Sequence, residues 1–280
     1  MTARPPDRLE IGKLSGAGND FILVDARKGG LPLPGPELAR RLCRRRLSVG
    51  ADGLITLHAS RKAHFRIAYF NSDGSDAALC LNGTRCAARF AFLRIIAPRQ
   101  MKIETGAGVY GAEIVPRGVR LAFPPYPVKA RRVQVHRLPA WFVDVGVPHL
   151  VVVTDEDIFQ REGFVEEARA LRHHAEFAPA GTNVSFCSVL DPGIVAMRTY
   201  ERGIEDEVLS CSSGAWAALH ALVQAGARLD REVQIATMGK IPLSFEFERE
   251  GGALRDVRLT GDARLIFQGP LDREAWEWGV

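Results

Sequence analysis

The sequence predicts an α+β chain made of two similar halves, and three observations carry that prediction. Short runs of β-branched and aliphatic residues are punctuated by Gly, Pro, Asn and Asp, the pattern of many short strands joined by turns. Two stretches depart from it with helical periodicity, and each is headed by a cysteine. One is Cys80-Leu-Asn-Gly-Thr-Arg-Cys86, continuing through Phe90 and Leu93; the other is Cys211-Ser-Ser-Gly-Ala-Trp216, continuing to a stop at Gly226. The two cysteines lie 131 residues apart, and further landmarks recur at that spacing, as an internal duplication requires.

Gly16-Ala-Gly-Asn19 leads into an aliphatic run ending at Asp25, and Gly146-Val-Pro-His149 leads into one ending at Asp155, an offset of 130. Gly50-Ala-Asp52-Gly-Leu-Ile matches Gly181-Thr-Asn183-Val-Ser-Phe at 131. In the first half, strands are expected at 22–25, 54–58 and 64–70, with a helix over 37–47. The Cys80 helix follows to about residue 95, then a strand–turn–strand pattern over 101–123. Pro124-Pro-Tyr-Pro127 marks a crossover. In the second half, strands are expected at 141–145, 150–153, 184–189 and 195–200, with a helix over 166–173. The Cys211 helix and strands at 232–237, 241–248 and 256–260 follow. An apolar run at 264–268 is one strand more than the repeat requires. The division this implies is 1–123 around Cys80 and 124–263 around Cys211.

Composition excludes several classes. The net charge of +4 is mild, and the one basic run (Arg40, Arg41, Arg44, Arg45, Arg46) fits a helical pattern, so it reads as a solvated helix face. No aromatic interleaving or nucleic-acid motif stands beside it, so nucleic acid is not an expected partner. No stretch approaches the ~20 apolar residues of a membrane span, and the N-terminus lacks the apolar core of a secretion signal. Five dispersed cysteines, an odd number, read as reduced thiols in a cytoplasmic protein. They offer no Cys-x-x-Cys pair and no metal-ligand spacing, and the histidines do not cluster; His173-His174 reads as surface.

A thiol at a helix N-terminus sits beside unpaired backbone N–H groups and the positive end of the dipole, and can be acidified below its free value of ~8.5. Two such thiols from two similar halves, on opposite sides of one cleft, suit stereoinversion at carbon: one sulfur takes the proton and the other supplies one. An amino-acid α-proton is weakly acidic, so the carbanion needs support. No lysine stands in a pyridoxal-phosphate-like motif, and the helix N-termini are the available substitute, so no cofactor is expected. Cys43, Cys86 and Cys187 read as structural.

In these residues the chain resembles the cofactor-independent diaminopimelate epimerases. The resemblance rests on Ser15-Gly-Ala-Gly-Asn-Asp-Phe21, Gly50-Ala-Asp-Gly53, Phe70-Asn-Ser-Asp-Gly-Ser75, Cys80 to Cys86, Gly146-Val-Pro-His149, Thr182-Asn183, Glu201-Arg-Gly203 and Cys211-Ser-Ser-Gly214, in that order. It implies two pseudo-symmetric domains, each a curved, mostly antiparallel sheet around a central helix, with 264–280 returning to complete the first. It also implies interconversion of LL- and meso-2,6-diaminopimelate in lysine and cell-wall precursor synthesis, and a homodimer. Carried over residue by residue, Cys80 and Cys211 are the catalytic thiols, and His149 and Glu201 tune their protonation. Asn19, Asn71, Asn183, Glu201 and Arg202 bind substrate, and the chain at Leu81, Asn82, Ser212 and Ser213 receives its carboxylate. Three positions depart from the family: Leu81 and Ser212 stand where Gly is usual, and Val147 where Asn is usual. Relatives on this scaffold racemise histidine- or proline-type amino acids, and a non-catalytic amino-acid-binding relative is the third alternative.

Overall fold

The computed structural model describes residues 8–135 and 138–278, which form two compact units. The first takes in the chain to Pro124 and then Gly261 onward; the second is Pro125–Thr260.

The first unit opens with a hairpin, β1 (Arg8–Gly16) and β2 (Asn19–Asp25). Its two-residue turn has positive φ at both Ala17 (51°) and Gly18 (93°), the type I′ geometry that matches strand twist. Ala17 tolerates this because its N–H is tied to Asp262 Oδ1 at 2.5 Å. Next come α1 (Gly35–Leu42), β3 (Gly53–His58), β4 (Phe65–Asn71) and the short β5 (Asp76–Ala77). Then follow α2 (Leu81–Leu93), β6 (Gln100–Thr105), β7 (Gly108–Val115) and β8 (Gly118–Ala122). The C-terminal strand β18 (Arg264–Asp272) pairs antiparallel with β1, giving the order β18-β1-β2-β3-β4-β6-β7-β8. The pairs β2–β3 and β4–β6 are parallel, the rest antiparallel, and β5 hangs on β4.

The second unit repeats that order. It comprises β9 (Lys129–Val135), β10 (Leu138–Asp144), β11 (Pro148–Val153), α3 (Phe164–Arg172), β12 (Asn183–Asp191) and β13 (Ile194–Glu201). These are followed by β14 (Asp206–Val208), α4 (Ser212–Gln224), β15 (Glu232–Ala236), β16 (Leu243–Glu250) and β17 (Ala253–Gly261). The sheet runs β9-β10-β11-β12-β13-β15-β16-β17, with β11–β12 and β13–β15 parallel and β14 hanging on β13. Thus β9 fills in the second unit the place that β18 fills in the first. The duplication seen as a fixed offset is a duplication of topology.

Each sheet curls round a helix. In the first unit α2 touches β1, β2, β3, β4, β6, β7, β8 and β18; in the second, α4 lies against β9, β10, β11 and β12. Ten of the thirteen residues of each helix are buried, so these helices are internal struts and not amphipathic surface helices. The opposite sheet faces carry smaller layers. Alternate residues Ile22 and Val24 of β2 pack with Leu38 and Leu42 of α1 and with Trp276 of α5 (Glu274–Glu277). In the second unit Phe164, Ala168 and Leu171 of α3 pack on Leu150, Val152, Val184 and Phe186.

Two expectations need correction. The helix expected over 37–47 ends at Leu42, where Cys43 caps it and Arg46 turns left-handed at φ 74°. Nor is the arginine run one helix face: only Arg40 and Arg41 lie on α1, although Arg40, Arg44, Arg45 and Arg46 are exposed. Arg45 turns back to the Asp20 carboxylate at 2.6 Å and to Asp52 at 2.9 Å, and Arg41 donates to the Trp278 carbonyl at 2.5 Å. Strands β1 and β9 and the short β5 and β14 had no sequence-based expectation. Among the described residues no helix is long and apolar enough to cross a membrane, and no three ligand-type side chains converge as a metal site.

Candidate active site

Both helix-heading cysteines are N-caps, in closely matching conformations. Cys80 has φ −136° and ψ 107°, and Cys211 has φ −131° and ψ 105°. Each sulfur accepts the N–H three residues on, Gly83 for Cys80 and Gly214 for Cys211, at 3.4 Å in both. Cysteine here does what Ser or Asp does at an ordinary cap, satisfying one of the orphan donors of the first turn. Glycine at the third position has a packing cause. A Cβ on Gly83 would lie 2.8 Å from Ile55 Cδ1 of β3, and one on Gly214 3.0 Å from Ser185 Oγ of β12, so the first turn of each helix presses on its parallel strand.

In the first unit Cys80 is half-buried and borders a cavity of about 520 Å³, together with Ile55, Tyr69, Leu79, Gly83 and Thr105. Two residues past the cysteine, buried Asn82 donates to Asn19 Oδ1 at 2.6 Å and accepts from Arg85 at 2.7 Å. Asn19 in turn donates to Asp52 at 3.0 Å, and Asp52 and Asp20 are clasped by Arg45. Lys13 bonds Asp20 at 2.7 Å and the Gly50 carbonyl. Burial raises the Asp20 pKa, but Arg45 and Lys13 outweigh it and hold the carboxyl below its ordinary value. Arg85 is fully buried and reaches the Asp262 and Leu81 carbonyls. The motifs quoted separately from the sequence therefore form one hydrogen-bonded string.

In the second unit Cys211 is buried. Its Sγ lies 3.4 Å from Ser213 Oγ, and Ser213 Oγ lies 3.1 Å from Nε2 of buried His149 on β11. Burial, with the Arg202 guanidinium as a smaller influence, pushes His149 down to about 3, so the ring is neutral at pH 7. Asn183 pairs with His149 across the parallel strands and accepts the Arg202 N–H at 2.8 Å. The Arg202 guanidinium reaches the Gly181 carbonyl at 3.4 Å, and half-buried Glu201 ends β13 opposite Asp206.

The structure thus joins Asn82 with Asn19 on the helix that Cys80 caps, and Cys211 with Ser213 and His149, each set inside one unit. Asn183 joins Arg202. Asn71 stays within its own turn, donating to Ser75 Oγ at 2.9 Å. Leu81 and Ser212, the two departures beside the thiols, are both only 3 % exposed, so neither puts a bulky side chain onto the accessible surface. Burial pushes the other thiols up, to about 12 at Cys43 and Cys187 and further at Cys86, in keeping with a structural role. Sequence reasoning missed Arg85 and Asp262. Arg85 looks like any helix cation, and Asp262 lies 177 residues from it; the one available signal was the i, i+3 spacing of Asn82 and Arg85.

The family model described as diaminopimelate epimerase matches residues 12–122 and 141–266. A diaminopimelate epimerase of Hydrogenobaculum sp. is 38% identical, covering 94% of this chain and 99% of that protein. One of Aquifex aeolicus is 36% identical over 96% and 100%. Similar folds occur in a phenazine biosynthesis protein of Bacillus anthracis (TM-score 0.72, 13% identity, 95% and 99% coverage) and in a probable proline racemase of Agrobacterium radiobacter (0.71, 17%, 97% and 96%). A hydroxyproline epimerase of Agrobacterium vitis has a TM-score of 0.70 at 15% identity, with 97% and 94% coverage.

Proposed function

The chain belongs to the diaminopimelate epimerase family and is an isomerase, and from that premise we propose that it interconverts LL- and meso-2,6-diaminopimelate with two cysteine thiols and no cofactor. The observation that carries this reading is the repeated cap: two sulfurs, each on the N-terminus of a buried thirteen-residue helix, each accepting a backbone N–H at 3.4 Å. Backbone N–H groups and the dipole favour thiolate over thiol, as a sulfur base requires.

One thiolate removes the α-proton. An S–H bond forms, the Cα–H bond breaks, and the electron pair passes to the substrate carboxylate as an enediolate. The N–H groups at the two helix starts, along Leu81, Asn82, Ser212 and Ser213, stabilise that charge. The second thiol then delivers a proton to the opposite face of the same carbon. His149 and Glu201 set the protonation of the pair. Asn19, Asn71 and Asn183 hold the far end of the substrate, with Arg202 as partner of its distal carboxylate. The product enters lysine and cell-wall precursor synthesis in the cytoplasm.

Val147, in the three-residue turn between β10 and β11, favours a second reading, racemisation of another amino acid of histidine or proline type, because the usual Asn amide is missing there. The discriminating measurement is α-proton exchange in deuterated water, using purified protein and a panel of amino acids. We expect exchange and inversion with diaminopimelate, and loss of inversion by a factor of about 10³ or more in both Cys80→Ala and Cys211→Ala. Exchange confined to histidine or proline would replace the first reading with the second. Dependence on added pyridoxal phosphate would remove both.

A further inference from the structure

The second unit contains a hydrogen-bonded line that a two-thiol mechanism does not by itself require: His149 Nε2 to Ser213 Oγ at 3.1 Å, then Ser213 Oγ to Cys211 Sγ at 3.4 Å. Its direction follows from the other ring nitrogen. His149 Nδ1 is buried and has no hydrogen-bond partner among the described residues. A buried N–H without an acceptor is rarer than a bare acceptor, so Nδ1 is the unprotonated nitrogen and Nε2 carries the hydrogen. Nε2–H then donates to Ser213 Oγ, which leaves the hydroxyl proton aimed at Cys211 Sγ. The Gly214 N–H is donated to the same sulfur, so two donors converge on it.

The surroundings keep the histidine in this state. Val143 flanks it on β10, Asn183 faces it from β12, Ser213 from α4, and the nearby charge is the Arg202 guanidinium, which opposes a second positive charge. No carboxylate figures among the causes of its shift. In the first unit the side chain at the same step past the cysteine is Asn82, which bonds Asn19 and Arg85.

We propose that Ser213 is a positioning residue that, oriented by the His149 Nε2–H, holds Cys211 as the thiolate of the resting enzyme. This rests on the two-thiol reading and deepens it, by making Cys211 the base toward the stereoisomer whose α-hydrogen faces it. During that step Sγ–H forms as Cα–H breaks; His149 keeps its one proton throughout, and the serine hydroxyl is released from the sulfur as the charge on it disappears.

The test is the pH dependence of iodoacetamide alkylation at Cys211 in the full-length protein, with each modified cysteine identified by peptide mass mapping. Ser213→Ala is expected to slow Cys211 alkylation at pH 7 about tenfold, the loss of one hydrogen bond to a charged acceptor, and to move its midpoint to higher pH. Ser213→Thr, which keeps the hydroxyl, restores the wild-type profile, and Cys80 alkylation is the same in all three. His149→Phe, which removes the orienting N–H, shifts Cys211 in the same direction. An unchanged Cys211 profile in Ser213→Ala or His149→Phe overturns the proposal. So does a Ser213→Thr protein that behaves like Ser213→Ala, or a slowing common to both cysteines. Alkylation needs no turnover, so this result and the exchange experiment on the cysteine variants can fail independently.

Discussion

The two units share strand order, helix length and cap geometry, and they differ at the second and fifth residues past the cysteine. The first unit has Asn82 and Arg85 there, tied through Asn19 and Asp52 to the Arg45–Asp20–Lys13 ion cluster. The second has Ser213 and Trp216, with Ser213 between a neutral histidine and the sulfur, and Trp216 edge-on to Tyr126 at 6.0 Å. Duplication preserved where the sulfur sits, because that is fixed by the backbone: an extended cap, a helix start and a close-packed glycine. The charge around it diverged, because that is fixed by side chains. On the proposed two-thiol reading, this divergence would bias which sulfur rests charged, since one thiol is charged while the other is not at any one time.

The largest effect is expected at the fifth position. Replacing Arg85 by Leu leaves Asn82 Oδ1 and the Asp262 carbonyl without their buried charged donor, and should cost about 3 kcal/mol in the stability of the first unit. Trp216→Leu in the second unit removes packing and should cost about 2–4 kcal/mol. The two losses should differ in kind. Arg85→Leu should also loosen the Asn82–Asn19 link and lower kcat, which thermal melts combined with kinetics will show. If Arg85→Leu melts like wild type, the view that charge seats α2 is wrong.

Acid should separate the units next. His149 and His220 of the second unit are buried and held down to about 3 and about 4, against ~6.5 for an unfolded histidine. The unfolded chain therefore binds more protons as pH falls below ~6.5, and the stability each neutral ring contributes is full above that pH and lost on the way down. The loss is about 2 kcal/mol per ring by pH 5. Asp20 in the first unit has a lowered pKa, so its contribution persists down to the unfolded carboxyl value near 4 and goes only below it. His58 of the first unit shifts downward too, through burial and Arg66. Hydrogen exchange at pH 5 should thus loosen α4 and β11 before α2 and β2, and His149→Gln should flatten the second unit's response between pH 6.5 and 5. Equal loosening of both units would refute this.

Much of this was legible in the chain. The α+β class, the duplication and both Cys-headed helices came from periodicity and a repeated spacing, because helix starts and tight turns are local and constrain residue type. The hairpin was less exact. Its turn has two residues in the first unit, between Gly16 and Asn19, and three in the second, between Asp144 and Pro148, so the single offset of 130 slips there. Strand β9 escaped notice because Lys129, Arg131 and Arg132 leave few apolar positions to alternate. The links that organise each half-site, Asn82 to Asn19 and Ser213 to His149, span more than sixty residues and obey no local rule.

The smallest effect concerns Asn71, which the family pattern makes a substrate ligand and the structure makes a turn-former. Its amide bonds Ser75 Oγ, its N–H bonds the Ser75 carbonyl, and Asp73 takes both the N–H and hydroxyl of Ser75. Asn71→Ala removes one exposed hydrogen bond from a turn that keeps the others, which should cost under about 1 kcal/mol. Asn183 in the second unit is the contrasting case, because it is buried and caps the Arg202 N–H, so Asn183→Ala should cost about 1–3 kcal/mol and displace the guanidinium. Melting temperature and KM measured on both variants decide between the roles. A rise in KM for Asn71→Ala with an unchanged melting temperature makes Asn71 a ligand first, and a small drop in melting temperature with KM unchanged leaves it to the turn.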